Sequence, residues 1–253
     1  MKKAALPPFF ALLALIACDQ GAQPIGYQIL RTLPHDSLAY TQGLVFHNGF
    51  FYESTGSYGK STVRKVDPES GRIIQATPLS DDHFGEGLAL VGSELYQLTW
   101  KAGLAFVYDL DSLKLQRTFE FDGEGWGLCF DGEALFMSDG SNRLTRRDPV
   151  TFEVLDEIRV TEGGFSVSQL NELECIGDHI FANVFMTTRI VRIQKNTGRV
   201  SGELNGFNLS AAARRRANPD AVMNGIAYDP ARDVFFLTGK YWQDLFEVRI
   251  SGL

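Results

Sequence analysis

One short slot recurs five times along the chain and changes its chemistry at each return. It reads Thr41-Gln42-Gly43-Leu44, Phe84-Gly85-Glu86-Gly87-Leu88, Gly125-Trp126-Gly127-Leu128, Leu170-Asn171-Glu172-Leu173 and Met223-Asn224-Gly225-Ile226. Aligned on the final aliphatic anchor, the residue two positions earlier is the variable one: Gln42, Glu86, Trp126, Asn171 and Asn224. Twelve residues beyond the first four anchors stand Gly56, Trp100, Gly140 and Phe185, and fourteen beyond the fifth, after a longer turn at 229–232, stands Lys240. Singly, each has an ordinary reading: Glu86 as an exposed turn residue, Trp126 as packing, Asn171 and Asn224 as partners of loop backbone, Lys240 as a surface lysine. Gathered at one mouth, they would set a carboxylate, amides and a lysine against aromatic walls. Such a carboxylate can move a proton between two atoms, and the lysine and amide donors can hold a developing oxyanion.

The elements that would gather them follow from the spacing. The anchors Leu44, Leu88, Leu128, Leu173 and Ile226 lie 44, 40, 45 and 53 residues apart, a β-propeller period. Each repeat continues in short apolar or alternating runs divided by Gly, Asp and Asn turns, which predicts four-stranded blades. Outer strands are expected at 72–79, 114–121, 153–160 and 199–204. The fifth repeat runs out at Leu253 without one. Residues 27–33, a well-patterned strand ahead of the first repeat, are expected to supply it and so remove an exposed edge. The fold class predicted is therefore all-β, a five-bladed propeller over residues 26–253 closed by an N-terminal strand. The first strand of each blade starts where the second ends, so antiparallel pairing brings both sets of residues to one mouth of the channel. The long last spacing predicts a helix over 209–216, with Arg214-Arg215-Arg216 as its solvated face. Residues 162–168 predict a glycine-containing loop on the rim.

With 253 residues, 44% of them hydrophobic, the chain can bury one full-sized core. A net charge of −7 argues against a nucleic-acid partner. His35, His47, His83 and His179 show no metal-ligand spacing, and there is no nucleophile elbow, phosphate-binding glycine loop or CxxC. No metal and no other cofactor is expected. Cys129 and Cys175 stand one and two residues past their anchors, positions on opposite faces of a strand, and are expected as two buried thiols. Lys2 and Lys3 precede an apolar run at 6–17, too short to span a bilayer and suited to a secretory signal. Leu15-Ile16-Ala17-Cys18 resembles a bacterial lipobox, and Asp19 resembles the signal for retention at the inner membrane. Residues 1–17 are thus expected as a lipoprotein-type signal peptide, Cys18 as a lipid anchor on the periplasmic face, and 18–25 as a tether. A monomer is expected.

The strings YTQGLVF, YESTGSYGKSTVRKVD, GEGL, LYQLTWK, GEGWGL, MSDGS, LNELE, ANVF, NGIAYD and LTGKYW, in this order, resemble the type I (plant and bacterial) glutaminyl cyclases from about residue 26 to the C-terminus. The resemblance implies a five-bladed propeller that converts N-terminal glutamine of peptides and proteins to pyroglutamate with release of ammonia, without a catalytic metal. By matching motif it implies Glu86 and Lys240 as catalytic residues and Gln42, Trp100, Trp126 and Asn171 in the substrate pocket, with Tyr40 and Phe84 as further pocket aromatics; the recurring slot adds Asn224. Phe185 stands where the family often has a third tryptophan, which keeps an aromatic wall and loses an indole N–H. The chemistry suits these residues: the α-amine must attack its own side-chain carboxamide, and one carboxylate reaching both nitrogens can take a proton from the first and give it to the second. Two alternatives use the same residues differently. One is a metal-dependent, lactonase-like propeller hydrolase ligated by Glu86, Asn171 and Asn224 with Glu172 or Glu174; the other is a non-catalytic binding propeller.

Overall fold

Short runs of β-branched and aromatic residues form strands throughout residues 21–215 and 217–251, the part of the chain that the computed structural model describes. The expected signal peptide, Cys18 and the start of the expected tether lie outside the described residues. Two strands precede the blades, β1 (Gln23–Pro24) and β2 (Tyr27–Pro34). Blade 1 is β3 (Thr41–His47), β4 (Phe50–Thr55), β5 (Thr62–Val66) and β6 (Ile73–Pro78). Blade 2 is β7 (Gly85–Val91), β8 (Glu94–Thr99), β9 (Leu104–Asp109) and β10 (Leu115–Glu120). Blade 3 is β11 (Leu128–Phe130), β12 (Leu135–Ser138), β13 (Arg143–Arg147) and β14 (Val154–Arg159). A hairpin of β15 (Thr161–Glu162) and β16 (Phe165–Ser166) occupies the stretch expected as an irregular rim loop. Blade 4 follows as β17 (Leu170–Ile176), β18 (His179–Val184), β19 (Arg189–Gln194) and β20 (Val200–Asn205). Blade 5 has β21 (Met223–Asp229), β22 (Val234–Gly239) and β23 (Asp244–Ile250).

Closure takes the expected form. β2 runs antiparallel to β23, from Tyr27 opposite Ile250 to Pro34 opposite Asp244, and completes blade 5 as its outer strand. Gln23 and Pro24, within the stretch expected as a tether, pair in parallel with Gly202 and Glu203 and add a fifth strand to blade 4. Turns between third and outer strands are set by aspartates whose carboxylates accept nearby backbone N–H groups, as at Asp67, Asp109 and Asp148.

Each blade face packs against its neighbour, giving five apolar clusters, one per interface. A fully buried Leu, Ile or Phe in them contributes roughly 1.5–3 kcal/mol. This packing corrects the expectation for the cysteines, because Cys129 and Cys175 form a disulfide with Cα atoms 5.5 Å apart. Positions one and two past the anchor do lie on opposite faces of a strand, but the faces that meet between adjacent blades are themselves opposite ones. Leu173 and Cys175 share the face of blade 4 that packs on Cys129 of blade 3.

The inserted helix also departs from expectation. It covers Phe207–Ala212, after Gly206, and ends before the arginines. Arg214 is drawn out of it by buried Asp244, which accepts bonds from the Arg214 backbone N–H at 2.7 Å and from its guanidinium at 2.5–3.1 Å. Arg214 and Arg215 therefore lie beyond the helix and do not form a face of it.

Candidate active site

The positions of the recurring slot become a site through a backbone irregularity. In blades 1, 2, 4 and 5 the ladder between the first two strands skips a residue at the slot, so the register shifts between Thr41 and Gly43, Gly85 and Leu88, Leu170 and Leu173, and Met223 and Ile226. Such bulges re-aim a side chain, here toward the axis. The glycine before the anchor has a separate cause, close approach. A side chain on Gly43 would collide with the Leu88 backbone, one on Gly87 with Leu128, and one on Gly127 with Asn171. Blade 4 breaks that rule with Glu172, whose buried carboxylate accepts the N–H of Leu44 at 3.2 Å and of Ile226 at 2.8 Å, tying blade 4 to blades 1 and 5. Burial pushes its carboxyl well above the usual range, and Glu174 adds to the rise.

Tyr40, Gln42, Phe84, Glu86, Trp100, Trp126, Asn171, Phe185 and Lys240 line one cavity of about 270 Å³. Asn224, expected among the substrate-binding residues, is not part of the lining. It stands behind Gln42, donating from Nδ2 to the Thr41 carbonyl at 2.9 Å and to Gln42 Oε1 at 3.2 Å, which fixes the glutamine from the rear. The amide so held donates from Nε2 to Glu86 Oε1 at 2.8 Å.

The walls form a continuous belt. Tyr40 meets Phe84 edge-on at 5.7 Å between ring centroids, Phe84 meets Trp100 at 5.6 Å, and Trp126 meets Phe185 at 5.6 Å. The gap between Phe185 and Tyr40 is filled by Lys240, whose Nζ lies 4.7 and 4.5 Å from their ring centres. The gap between Trp100 and Trp126 is filled by Glu124, which accepts both indole N–H groups. The second set of slots explains its own glycines, since a side chain on Gly56 would strike the Phe84 ring and one on Gly140 the Trp126 ring.

Electrostatically the site sets one buried carboxyl and one buried lysine in apolar walls. Glu86 is 4% exposed, and burial pushes its carboxyl well above the usual range; Lys240 opposes the rise and Glu124 adds to it. Lys240 is 1% exposed, and burial lowers its ammonium to about 8, against the pull of Glu86 and Asp220. Behind blade 1 a buried ionic cluster braces the same strand. Glu53 accepts Arg64 at 2.6 and 2.9 Å, Thr41 Oγ1 at 2.7 Å and the His35 ring at 3.1 Å. Thr41 is the residue next to Gln42, so the cluster anchors the cavity floor. Among the described residues no three His, Cys, Asp or Glu side chains gather where they could hold one metal ion, and both Glu172 oxygens are already engaged with backbone amides.

Sequence reasoning missed Glu124 and the Glu53 cluster, and it considered Glu172 only as a metal ligand of the alternative hydrolase, not as the bridge between blades. Glu172 carried a signal, as the one break in the glycine pattern. Glu124 carried a weaker one, a carboxylate two residues ahead of Trp126.

Comparisons with known proteins agree with the fold. The sequence model of the family described as glutamine cyclotransferase matches residues 8–250. A glutaminyl-peptide cyclotransferase of Arabidopsis thaliana is 39% identical over 227 residues, covering 88% of this chain and 71% of the plant protein. The crystal structure of the Myxococcus xanthus glutaminyl cyclase superposes with a TM-score of 0.86 at 40% identity, covering 90% of this chain and 98% of that one. A propeller domain of Cps50 (Swd1) from Myceliophthora thermophila, 12% identical with a TM-score of 0.52 over 89% of this chain and all of that one, shares the fold alone.

Proposed function

The chain belongs to the glutamine cyclotransferase family, and we propose that it acts as a glutaminyl-peptide cyclotransferase whose chemistry takes place between Glu86 and Lys240. The observation that carries the reading is the cavity itself: one carboxylate, held by a glutamine amide, at the base of a small aromatic belt that a lysine completes. At about 270 Å³ it falls just short of the roughly 300–1,000 Å³ usual for larger ligands. That volume suits a single terminal residue and excludes the middle of a chain.

The peptide's free α-amine, with an ordinary pKa of roughly 7.7–8.0, is partly unprotonated near neutrality. Its nitrogen attacks the side-chain carbonyl carbon, closing a five-membered ring as the C=O π pair moves onto oxygen. Ionised Glu86 takes the proton that the attacking nitrogen sheds and passes it to the amide nitrogen. The carbonyl re-forms, the C–N bond breaks, and ammonia leaves, so Glu86 ends ionised as it began. A carboxylate whose affinity for a proton is raised by burial suits the first half of this cycle, because it is a stronger base toward the attacking amine than an ordinary carboxylate. Lys240, with Asn171 and Gln42, stabilises the oxyanion in surroundings of low dielectric. The aromatic belt folds the glutamine side chain back on its own amine, which lowers the entropic cost of ring closure.

The test is incubation with a Gln-initiated peptide, followed by mass spectrometry and an ammonia assay. Stoichiometric loss of ammonia is expected, with an N-acetylated control unchanged; a peptide left intact overturns the reading. We also propose that the enzyme is exported, is held through Cys18 at the periplasmic face of the inner membrane, and works as a monomer. The lipobox-like sequence supports the anchoring. Cys18→Ala is expected to leave the membrane fraction, and retention there after a carbonate wash would overturn that part.

A further inference from the structure

Two tryptophans on different blades point their indole N–H groups at one atom. Trp100 directly follows the second strand of blade 2 and Trp126 precedes the first strand of blade 3, yet both donate to Oε2 of Glu124, at 2.8 and 3.0 Å. Glu124 lies in the connection between β10 and β11, and its backbone is also placed by the walls it serves. The adjacent Gly125 donates to the Trp100 carbonyl at 3.0 Å, and a side chain at Gly125 would strike the Thr99 carbonyl and the Phe121 ring. Lys101 caps the outside of the arrangement, with Nζ 3.9 Å from the Trp100 ring centre and 3.8 Å from Glu124 Oε1. The remaining ring contacts of the belt, Tyr40 to Phe84, Phe84 to Trp100 and Trp126 to Phe185, are edge-on, and Glu124 bridges the gap between the two indoles.

We propose that Glu124 is a positioning residue that locks Trp100 and Trp126 against each other, so that the carboxylate sets the width of the substrate cavity. It rests on the reading of the cavity as the glutamine site. Glu124 does not touch the reacting atoms. It acts chiefly through the indoles, which hold the folded glutamine side chain alike in the bound ground state and the transition state, so that folding of that side chain is completed on binding; the charge of Glu124 ranks below burial and Lys240 among the influences on the Glu86 carboxyl. Loss of such contacts raises KM and leaves kcat little changed. Charge-assisted hydrogen bonds are the stronger kind, and both indole N–H groups direct theirs to this one carboxylate oxygen.

The experiment uses the three tryptophans of the chain as reporters. In a spectrum of the ¹⁵N-labelled protein, the indole N–H signals of Trp100 and Trp126 are expected to move together in Glu124→Ala, while that of Trp242, which donates to the Ala221 carbonyl, stays in place. In the same variant, KM for a Gln-initiated peptide is expected to rise by about tenfold, the order of one lost charged hydrogen bond, with kcat within about threefold of wild type. Glu124→Gln retains an acceptor oxygen and is expected to restore most of the KM and part of the signal positions; it also serves if the alanine variant fails to fold. Unmoved signals in Glu124→Ala overturn the clamp. Moved signals with unchanged KM and kcat overturn its role in substrate binding. Because the signals are read in resting protein, a wild type that cyclises nothing would sink the glutamine reading without touching the clamp.

Discussion

Replacing Glu86 by glutamine should separate activity from stability, in opposite directions. The amide keeps the shape of the side chain and an oxygen to accept Gln42 Nε2, a bond now 2.8 Å long, so the cavity floor stays in place. It cannot accept and return a proton. General acid–base catalysis contributes typically about 10²–10⁴-fold, or roughly 2.7–5.4 kcal/mol of barrier, and kcat should fall by that factor. Stability should rise. In the folded protein burial lifts the Glu86 carboxyl well above its ordinary value, and this holds even with Lys240 opposing the shift. Folding therefore favours the protonated form, and ionisation becomes a penalty that appears above the unfolded value of about 4.3 and grows as pH rises toward the folded one. The uncharged amide has no such penalty. Thermal melts followed by circular dichroism should show Glu86→Gln melting above wild type near neutrality, with the gap closing near pH 4. Rates from ammonia release complete the comparison. A variant within tenfold of wild-type kcat, or one that melts below wild type at neutral pH, would refute the reasoning.

Three further outcomes are expected. Lys240 carries its charge only below about 8, so kcat should decline as pH rises through that value, and Lys240→Met should be slower overall and lack this alkaline limb; an unchanged limb would assign it elsewhere. Glu172→Ala leaves the buried N–H groups of Leu44 and Ile226 without acceptors, at about 1–3 kcal/mol each, offset in part by removal of a buried carboxyl; urea denaturation should show it less stable than Glu172→Gln, which keeps one acceptor, and the reverse order would contradict the bridge. The disulfide spans 46 residues, for which chain entropy gives about 4 kcal/mol, so Cys129→Ser should lower the urea midpoint in non-reducing buffer, and a midpoint equal to wild type would remove the disulfide from the account of stability.

The propeller was legible because its signal is repeated. Five anchors, period-2 strands and a missing outer strand all specify one ring, and β2 takes the vacant edge as that count requires. The cavity residues were legible for the same reason, since the slot that varies between Gln42, Glu86, Trp126 and Asn171 is fixed in space by the blades. What escaped depends on contacts between repeats. Cys129 and Cys175 look misaligned on a single strand and meet only because facing blades present opposite faces. The helix loses its arginines to Asp244, thirty residues away along the chain. Asn224 occupies the recurring slot and still stands behind Gln42, held there by its bonds across the join to the Thr41 carbonyl and Gln42 Oε1.

The join between the first and last blades has a temporal consequence. β2 pairs only with β23, so while the chain is being made, at about 5–20 residues per second, this strand waits roughly 10–50 s without its partner. β2 meanwhile shows an open edge, the kind of surface that recruits other chains. The join also runs through the cavity: Asn224 reaches across it to Gln42, the Tyr241 N–H donates to the Ala39 carbonyl at 2.6 Å, and Lys240 lies over the Tyr40 ring. A site built across this join is complete only in the closed ring. The onset of catalytic activity is therefore expected to report ring closure, which spectroscopy of the separate blades would not.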